Sequence, residues 1–261
     1  MAEAAQKQVL TSLKGFLKSG AYSDLTITSG SDTFNVHKVI VCERAEFFAR
    51  TLKFGGKESE SDIIDLPEDE PAIVKLLVQY LYEGEYEPLL PDGKSSLALS
   101  SVDLKESRPK HDSNGTPYNY NFPHSCGNGR CRFNCIKFNC EECNPSVPPL
   151  PLLNGKADQL LLHAKMYEYA DKYDVVGLKD LAIEKFIRSC KHFWNEDEFS
   201  IAAHHVFSTT VDTDLGLRDI VSATICAHMG LVKKPEVKVL MTEFNGLALG
   251  ILELKIIEHG W

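Results

Sequence analysis

Apolar residues recur at helical spacing at the start of the chain and then alternate with polar ones. One helical face carries four of them, namely Val9, Leu13, Phe16 and Leu17. Gly20 follows as a helix stop, so residues 1–20 predict a short amphipathic helix. Next, residues 25–28 and 33–36 alternate at a period of two on either side of the turn-forming run Ser29-Gly30-Ser31-Asp32. This alternation predicts a β-hairpin.

The period returns to that of a helix after residue 38. A single stripe contains Val41, Ala45, Phe48 and Leu52, which predicts one helix ended by Gly55-Gly56. The run Ile63-Ile64-Asp65-Leu66 predicts a third strand, closed by Pro67. Pro71 then suits the first position of a helix that runs to about Gly84. Residues 21–87 therefore predict a small α/β unit.

Residues 88–155 differ from the chain on either side of them. They hold nine of the twelve prolines and no sustained apolar periodicity, which is typical of an inserted loop or linker. Helical periodicity resumes over residues 156–190 and continues over residues 191–261. Asn195 followed by Glu198 predicts a capping box at the start of the first helix in this last region. We therefore expect a two-part core, an irregular insertion and an all-helical C-terminal extension.

Seven short segments, taken in their order along the chain, match a known pattern. They are Ser23-Asp24-Leu25-Thr26-Ile27, Phe34-Asn35-Val36-His37-Lys38-Val39-Ile40, Glu46-Phe47-Phe48, Ile64-Asp65-Leu66-Pro67, Val78-Gln79-Tyr80-Leu81-Tyr82-Glu83-Gly84, Tyr169-Ala170-Asp171-Lys172-Tyr173 and Leu178-Lys179-Asp180-Leu181-Ala182. Together they resemble the BTB/POZ domain family over residues 22–87 and 157–190. The layout, with a cysteine-containing insertion before residue 160, most resembles the BTB proteins of filamentous fungi.

The resemblance implies both a fold and a class of function. The expected fold is α+β, a short mixed sheet capped by a helical cluster, here interrupted by the insertion. The expected function is to hold protein partners, without enzymatic activity. Dimeric members of the family suggest a homodimer whose interface includes Val9, Leu13, Phe16 and Leu17. The same stripe could equally pack on its own domain. Adaptor members suggest a cullin as a partner, bound around the helices that the insertion interrupts.

Charge and hydropathy narrow the classes of partner. The formal net charge of −9 argues against a broad nucleic-acid surface, because phosphate binding requires clustered Lys and Arg. No apolar run approaches the roughly 20 residues of a membrane-spanning helix, and residues 1–20 are unlike a signal peptide. We therefore expect an intracellular protein, cytoplasmic or nuclear, without a membrane partner.

Motifs for catalysis are missing from the sequence. Gly-x-Ser-x-Gly, His-Glu-x-x-His and a phosphate-binding glycine loop are all absent. Asp24 and His37 are a carboxylate and an imidazole that could form an acid–base pair, but a His at a strand-to-helix junction more often serves the fold. We therefore expect no catalytic residues and no cofactor beyond a metal.

One cluster of metal-ligating side chains lies in the insertion. It comprises His124, Cys126, Cys131, Cys135, Cys140 and Cys143. The two-residue gap of Cys140-Glu-Glu-Cys143 allows both thiolates to bind one tetrahedral zinc ion, with two of the other residues completing the site. Free thiols in a loop are the alternative, and the sequence leaves both open. Cations and aromatics alternate among these cysteines, so a metal-dependent nucleic-acid-binding protein remains the alternative to a dimerising scaffold or cullin adaptor.

Overall fold

The computed structural model describes residues 2–54, 56–90 and 155–260. Before the insertion, the elements are α1 (Ala2–Ser19), β1 (Leu25–Ser29), β2 (Asp32–Val36), α2 (Lys38–Arg44), α3 (Glu46–Lys53), α4 (Lys57–Ser61), β3 (Ile63–Asp65) and α5 (Pro71–Glu83). After it come α6 (Gln159–Lys172), α7 (Leu178–Phe193), α8 (Asp197–Thr209), α9 (Leu215–Ala227), a 3₁₀ turn (Met229–Lys233), α10 (Pro235–Glu243) and α11 (Asn245–His259). The predicted α+β fold class, with a helical C-terminal region, is confirmed.

The described part of the chain contains a mixed three-stranded sheet in the order β2-β1-β3. β1 pairs antiparallel with β2, placing Leu25 opposite Val36, and parallel with β3, placing Ile27 opposite Ile64. These four side chains are buried, so alternate residues of each strand face one apolar core. The predicted hairpin and third strand are therefore confirmed.

The single helix predicted after residue 38 is wrong, because the structure divides it at Ala45. Ala45 has extended backbone angles, with φ −139° and ψ 108°, between α2 and α3. It forms an isolated antiparallel bridge with Val175, and the amide of Val176 donates to the carbonyl of Arg44 at 3.1 Å. The apolar stripe is nevertheless kept, since Val41, Ala45 and Phe48 are all buried. A pairing with a distant segment therefore overrides the local helical preference.

The predicted capping box is also wrong. Helix α8 begins at Asp197 with Glu196 as its N-cap, and no side chain caps it. Asp197 and Glu198 instead lie in the first turn, where negative charge interacts favourably with the helix dipole. The buried stripe of this helix is as the sequence predicted and consists of Phe199, Ala202, Ala203 and Val206.

Tyr169 on α6 and Tyr173 just after it join the two parts of the core on either side of the insertion. The hydroxyl of Tyr173 donates to Asp69 Oδ2 at 2.7 Å, and Lys172 Nζ donates to Oδ1 at 2.8 Å. The backbone amide of Glu70 donates to the hydroxyl oxygen of Tyr169 at 2.9 Å. Burial and the neighbouring carboxylate of Asp69 both raise the pKa of Tyr173, so its hydroxyl keeps the donated proton. These bonds attach the loop before α5 to α6.

A buried lysine holds the chain where it leaves α5 toward the insertion. Lys185, with 1% of its surface exposed, donates to the carbonyls of Tyr86 at 2.5 Å and Pro88 at 2.7 Å. Its ammonium also lies 2.6 Å from Glu85 Oε1. The returning chain is adjacent, since a Cβ added at Gly155 would lie 4.0 Å from the Cβ of Pro88. The described ends on either side of the insertion therefore lie together.

Because these ends are adjacent, we expect the core to fold without the insertion. Replacing residues 95–150 with a short Gly-Ser linker should leave one cooperative thermal transition, within about 3 °C of the parent protein. Circular dichroism of both proteins during heating makes the comparison. Loss of the cooperative transition in the shortened protein would show that the core depends on the deleted residues.

Candidate protein-interaction surface

The first helix packs on the domain with only part of its apolar face. Leu17 packs against the core and Leu13 is half-buried. Lys14 Nζ lies 2.7 Å from Glu83 Oε2 on α5, and α5 is the neighbour that α1 contacts most. Helix α1 is therefore seated on α5 along one side.

The outward side of α1 remains apolar and exposed. Val9 is 59% exposed, Leu10 44% and Phe16 38%. Tyr22 lies beyond the helix, with its ring centre 6.4 Å from that of Phe16, and is more exposed still at 88%. We refer to these four residues as the α1 surface. Several exposed apolar side chains on one helix and its surroundings are typical of a site for a protein partner.

His37 packs against Phe16, one residue of the α1 surface. Its ring packs edge to face against Phe16, with the ring centres 5.8 Å apart, and Phe16 packs in turn against Tyr22 at 6.4 Å. His37 lies between β2 and α2, so its contact with Phe16 connects α1 to this part of the domain.

The hydrogen bonds of His37 define its tautomer. Nε2 lies 2.8 Å from the carbonyl oxygen of Ala21, which can only accept, so Nε2 carries the proton. Nδ1 then accepts from the hydroxyl of Tyr82 at 2.6 Å, and that hydroxyl oxygen accepts from the backbone amide of His37 at 2.8 Å. Burial raises the pKa of Tyr82 to about 12, so the hydroxyl remains a donor. Every polar group in this set has a partner.

Asp24 has a separate structural role. Its Oδ1 accepts from the backbone amide of Lys38 at 2.7 Å, at the first residue of α2. His37 instead bonds to Tyr82 and Ala21. These bonds support the structural interpretation of the two residues over the acid–base one.

A second surface lies between α5 and α6, next to the two ends of the insertion. A groove there is lined by the apolar residues Ile73, Leu76, Pro88, Leu161 and Leu162. Glu87, Lys156, Asp158 and Lys165 also contribute to its walls. Lys165 is engaged with Glu70, at 2.5 Å from Oε1.

The residues predicted from sequence are only partly brought together. Val9 and Phe16 lie on the exposed side of α1, whereas Leu13 and Leu17 turn toward their own domain. Leu10 and Tyr22 were missed, because the predicted stripe left out Leu10 and Tyr22 lies beyond the helix. The predicted zinc ligands, His124 with Cys126, Cys131, Cys135, Cys140 and Cys143, lie outside the described residues. Within the described ranges, no group of metal-ligating side chains suits a metal ion.

Part of the chain is similar to known proteins. Residues 13–103 match the model of the BTB/POZ domain. A stretch of 69 residues is 36% identical to the Kelch repeat protein M-T9 of Myxoma virus (strain Lausanne). That stretch is 26% of this chain and 13% of the viral protein, so the likeness concerns a small part of each. Among the described helices, none is both long and apolar enough to cross a membrane.

We expect His37 to be required for the seating of α1. Changing His37 to Ala leaves the Tyr82 hydroxyl and the Ala21 carbonyl without these partners, which should lower the free energy of unfolding by about 2 kcal/mol. Urea denaturation measures this loss. The matched control is His204→Ala on α8, whose side chain is 51% exposed and should matter by less than about 0.5 kcal/mol. Equal effects of the two changes would contradict the role of His37.

Proposed function

Starting from a chain that carries a BTB/POZ domain, a protein-interaction module, we propose that the protein is a dimerising scaffold that holds other proteins. The observation that carries this proposal is the α1 surface, where Val9 and Phe16 are exposed on a helix seated on the domain. Families with this domain are typically non-enzymatic. Scaffolding is therefore the function that the domain and its exposed helix support best.

A second copy of the chain is the partner that suits the α1 surface. In a two-fold dimer the same apolar patch lies on both sides of the contact, so one surface is buried twice. Burying Val9, Leu10 and Phe16 would remove apolar area from water, which is the main favourable term in association. Lys14 is already paired with Glu83, so its charge is partly compensated next to this contact.

We expect a charge at the centre of the α1 surface to separate the dimer. Phe16→Asp should convert a dimer into a monomer, because an unpaired carboxylate would be buried at the contact. Light scattering after gel filtration, at tens of micromolar protein, measures the mass. The control is Ile201→Asp on α8, where the side chain is also exposed, at 54%, but lies outside the α1 surface.

The control protein should keep the dimeric mass. A parent protein that is monomeric at tens of micromolar would count against homodimerisation altogether. A Phe16→Asp protein that remains dimeric would show that a different surface forms the contact.

A cullin is the partner that we propose for an adaptor role. The proposal rests on the family resemblance and on the apolar groove between α5 and α6. M-T9 is a Kelch repeat protein, and a likeness to such a protein is compatible with an adaptor role. Pro88 and Gly155, at the two ends of the insertion, both line this groove.

We expect a purified cullin from the same organism to bind the protein weakly, and more tightly once residues 95–150 are replaced by the Gly-Ser linker, which keeps Pro88 and Gly155 in the groove. Calorimetry of the two proteins provides the measurement. A protein that binds no cullin in either form would require the adaptor role to be abandoned, while dimerisation would be unaffected.

We also propose that the insertion binds one structural zinc ion through four of the residues His124, Cys126, Cys131, Cys135, Cys140 and Cys143. Changing Cys140 and Cys143 to Ser should abolish stoichiometric zinc, because thiolates are the preferred zinc ligands. The thermal transition of the core should remain nearly unchanged. Elemental analysis of protein purified without chelator provides the test, and absence of zinc in the parent protein would show that these cysteines are free thiols.

Source and location remain further proposals. The layout resembles that of fungal BTB proteins, and the viral relative neither supports nor opposes this likeness. An intracellular location is proposed because the described cysteines, Cys42, Cys190 and Cys226, are free thiols, as is usual in a reducing compartment.

A further inference from the structure

A single carboxylate, that of Asp214, connects three elements of the chain. Its Oδ1 accepts from the hydroxyl of Tyr167 on α6 at 2.5 Å. Its Oδ2 accepts from Lys179 Nζ on α7 at 2.8 Å. Oδ1 also accepts from the backbone amide of Gly216 at 3.2 Å, which makes Asp214 the N-cap of α9. We call these four residues the Asp214 junction.

Gly216 shows how closely α9 approaches α6 at this point. A Cβ at this position would lie 2.2 Å from the hydroxyl oxygen of Tyr167. Tyr167 is only 2% exposed, so its ring has little room to move away. The first turn of α9 therefore fits against Tyr167 only because residue 216 lacks a side chain.

The charges at the Asp214 junction favour the ionised pair. Burial raises the pKa of Asp214, but hydrogen bonds from Lys179, Tyr167 and Gly216 outweigh it and leave the pKa below its ordinary value. Burial lowers the pKa of Lys179, but bonds to Asp171 and Asp214 outweigh that effect and raise it. The Lys179 ammonium also lies 4.8 Å from the centre of the Tyr167 ring. Both groups are therefore charged near neutral pH.

The apolar contacts around the Asp214 junction restrict the orientation of α9 less than its hydrogen bonds do. Phe199, Val206, Leu217 and Val221 are buried where α8 and α9 pack against α6 and α7. Burial of apolar area is favourable in many relative positions, because the hydrophobic effect is not directional. Charge-assisted hydrogen bonds require a narrow range of distances and angles, so they select one position.

We infer that Asp214 is a positioning residue that sets the orientation of the C-terminal helices on the BTB domain. It does so by capping α9 with the same carboxylate that binds Tyr167 and Lys179. Helices α9–α11 are then a rigid extension of the domain, and a protein bound to them is held in one orientation. The inference goes beyond the proposed scaffold function and holds for a monomer as well as for a dimer.

Amide hydrogen exchange of the full chain, measured by mass spectrometry, tests the inference. Asp214→Ala should accelerate exchange in α9, α10 and α11 at least about tenfold, while exchange in β1–β3 remains unchanged. The control is Asp212→Asn in the same loop. Asp212 is 95% exposed and accepts from Arg218 Nη1 at 2.7 Å. Arg218 retains bonds to Thr210 and Phe207, so the control should exchange like the parent protein.

Tyr167→Phe separates positioning from capping, and it decides the matter if the first variant fails to fold. It leaves the bond from Gly216 to Asp214 intact and removes only the bond to α6. Faster exchange in α9–α11 of this variant, with β1–β3 unchanged, supports the inference. Unchanged exchange in α9–α11 overturns it, and so does equal acceleration in both regions, which would indicate general destabilisation. Light scattering on the same samples tests dimerisation independently.

Discussion

The bond between Asp69 and Tyr173 is the contact on which the rest of the domain depends. It joins residues 104 positions apart, from the two parts of the chain that the insertion separates. Asp69 is 8% exposed, and a buried carboxylate is costly unless donors surround it. Tyr173 and Lys172 supply those donors, and Ser29 on β1 adds a bond to the Asp69 carbonyl at 2.8 Å. The sheet, the loop before α5 and the C-terminal end of α6 are therefore all bonded to Asp69.

The surfaces used in the proposed function are connected to the Asp69–Tyr173 bond by a series of contacts. With α6 attached to the loop before α5, α5 has a defined position on the sheet. Tyr82 on α5 then binds His37, and His37 supports Phe16 on α1. In the other direction, Tyr167 of the same α6 binds Asp214 and the C-terminal helices. Helix α6 therefore links the proposed dimer surface, through α5, to the C-terminal helices.

Much of this arrangement could be predicted from sequence, because it rests on local periodicity. The stripe of α1, the alternation of β1 and β2 and the helical runs after residue 155 all follow from spacing alone. The break at Ala45 could not be predicted, because it results from pairing with Val175. The capping box at Asn195 was wrong for a related reason, since a motif of two residues says little about where a helix starts in its tertiary context.

The α1 surface could be predicted only in part. The stripe identifies Val9, Leu13, Phe16 and Leu17 as apolar, but only packing shows which of them α5 covers. Tyr22 carries no periodic signal. Tyr167, Tyr169 and Tyr173 are buried, yet their hydroxyl partners lie on distant segments and in loops, which no spacing reveals.

The most direct test of this account is a double-mutant cycle on Asp69 and Tyr173, using the free energy of unfolding in urea. The single changes Asp69→Asn and Tyr173→Phe, together with the double change, isolate the energy that couples the two side chains. We predict a coupling of about 1–2 kcal/mol, because the bond is buried and its acceptor is charged. Additive effects, with coupling below about 0.5 kcal/mol, would contradict the claim that this contact holds the two parts of the domain together.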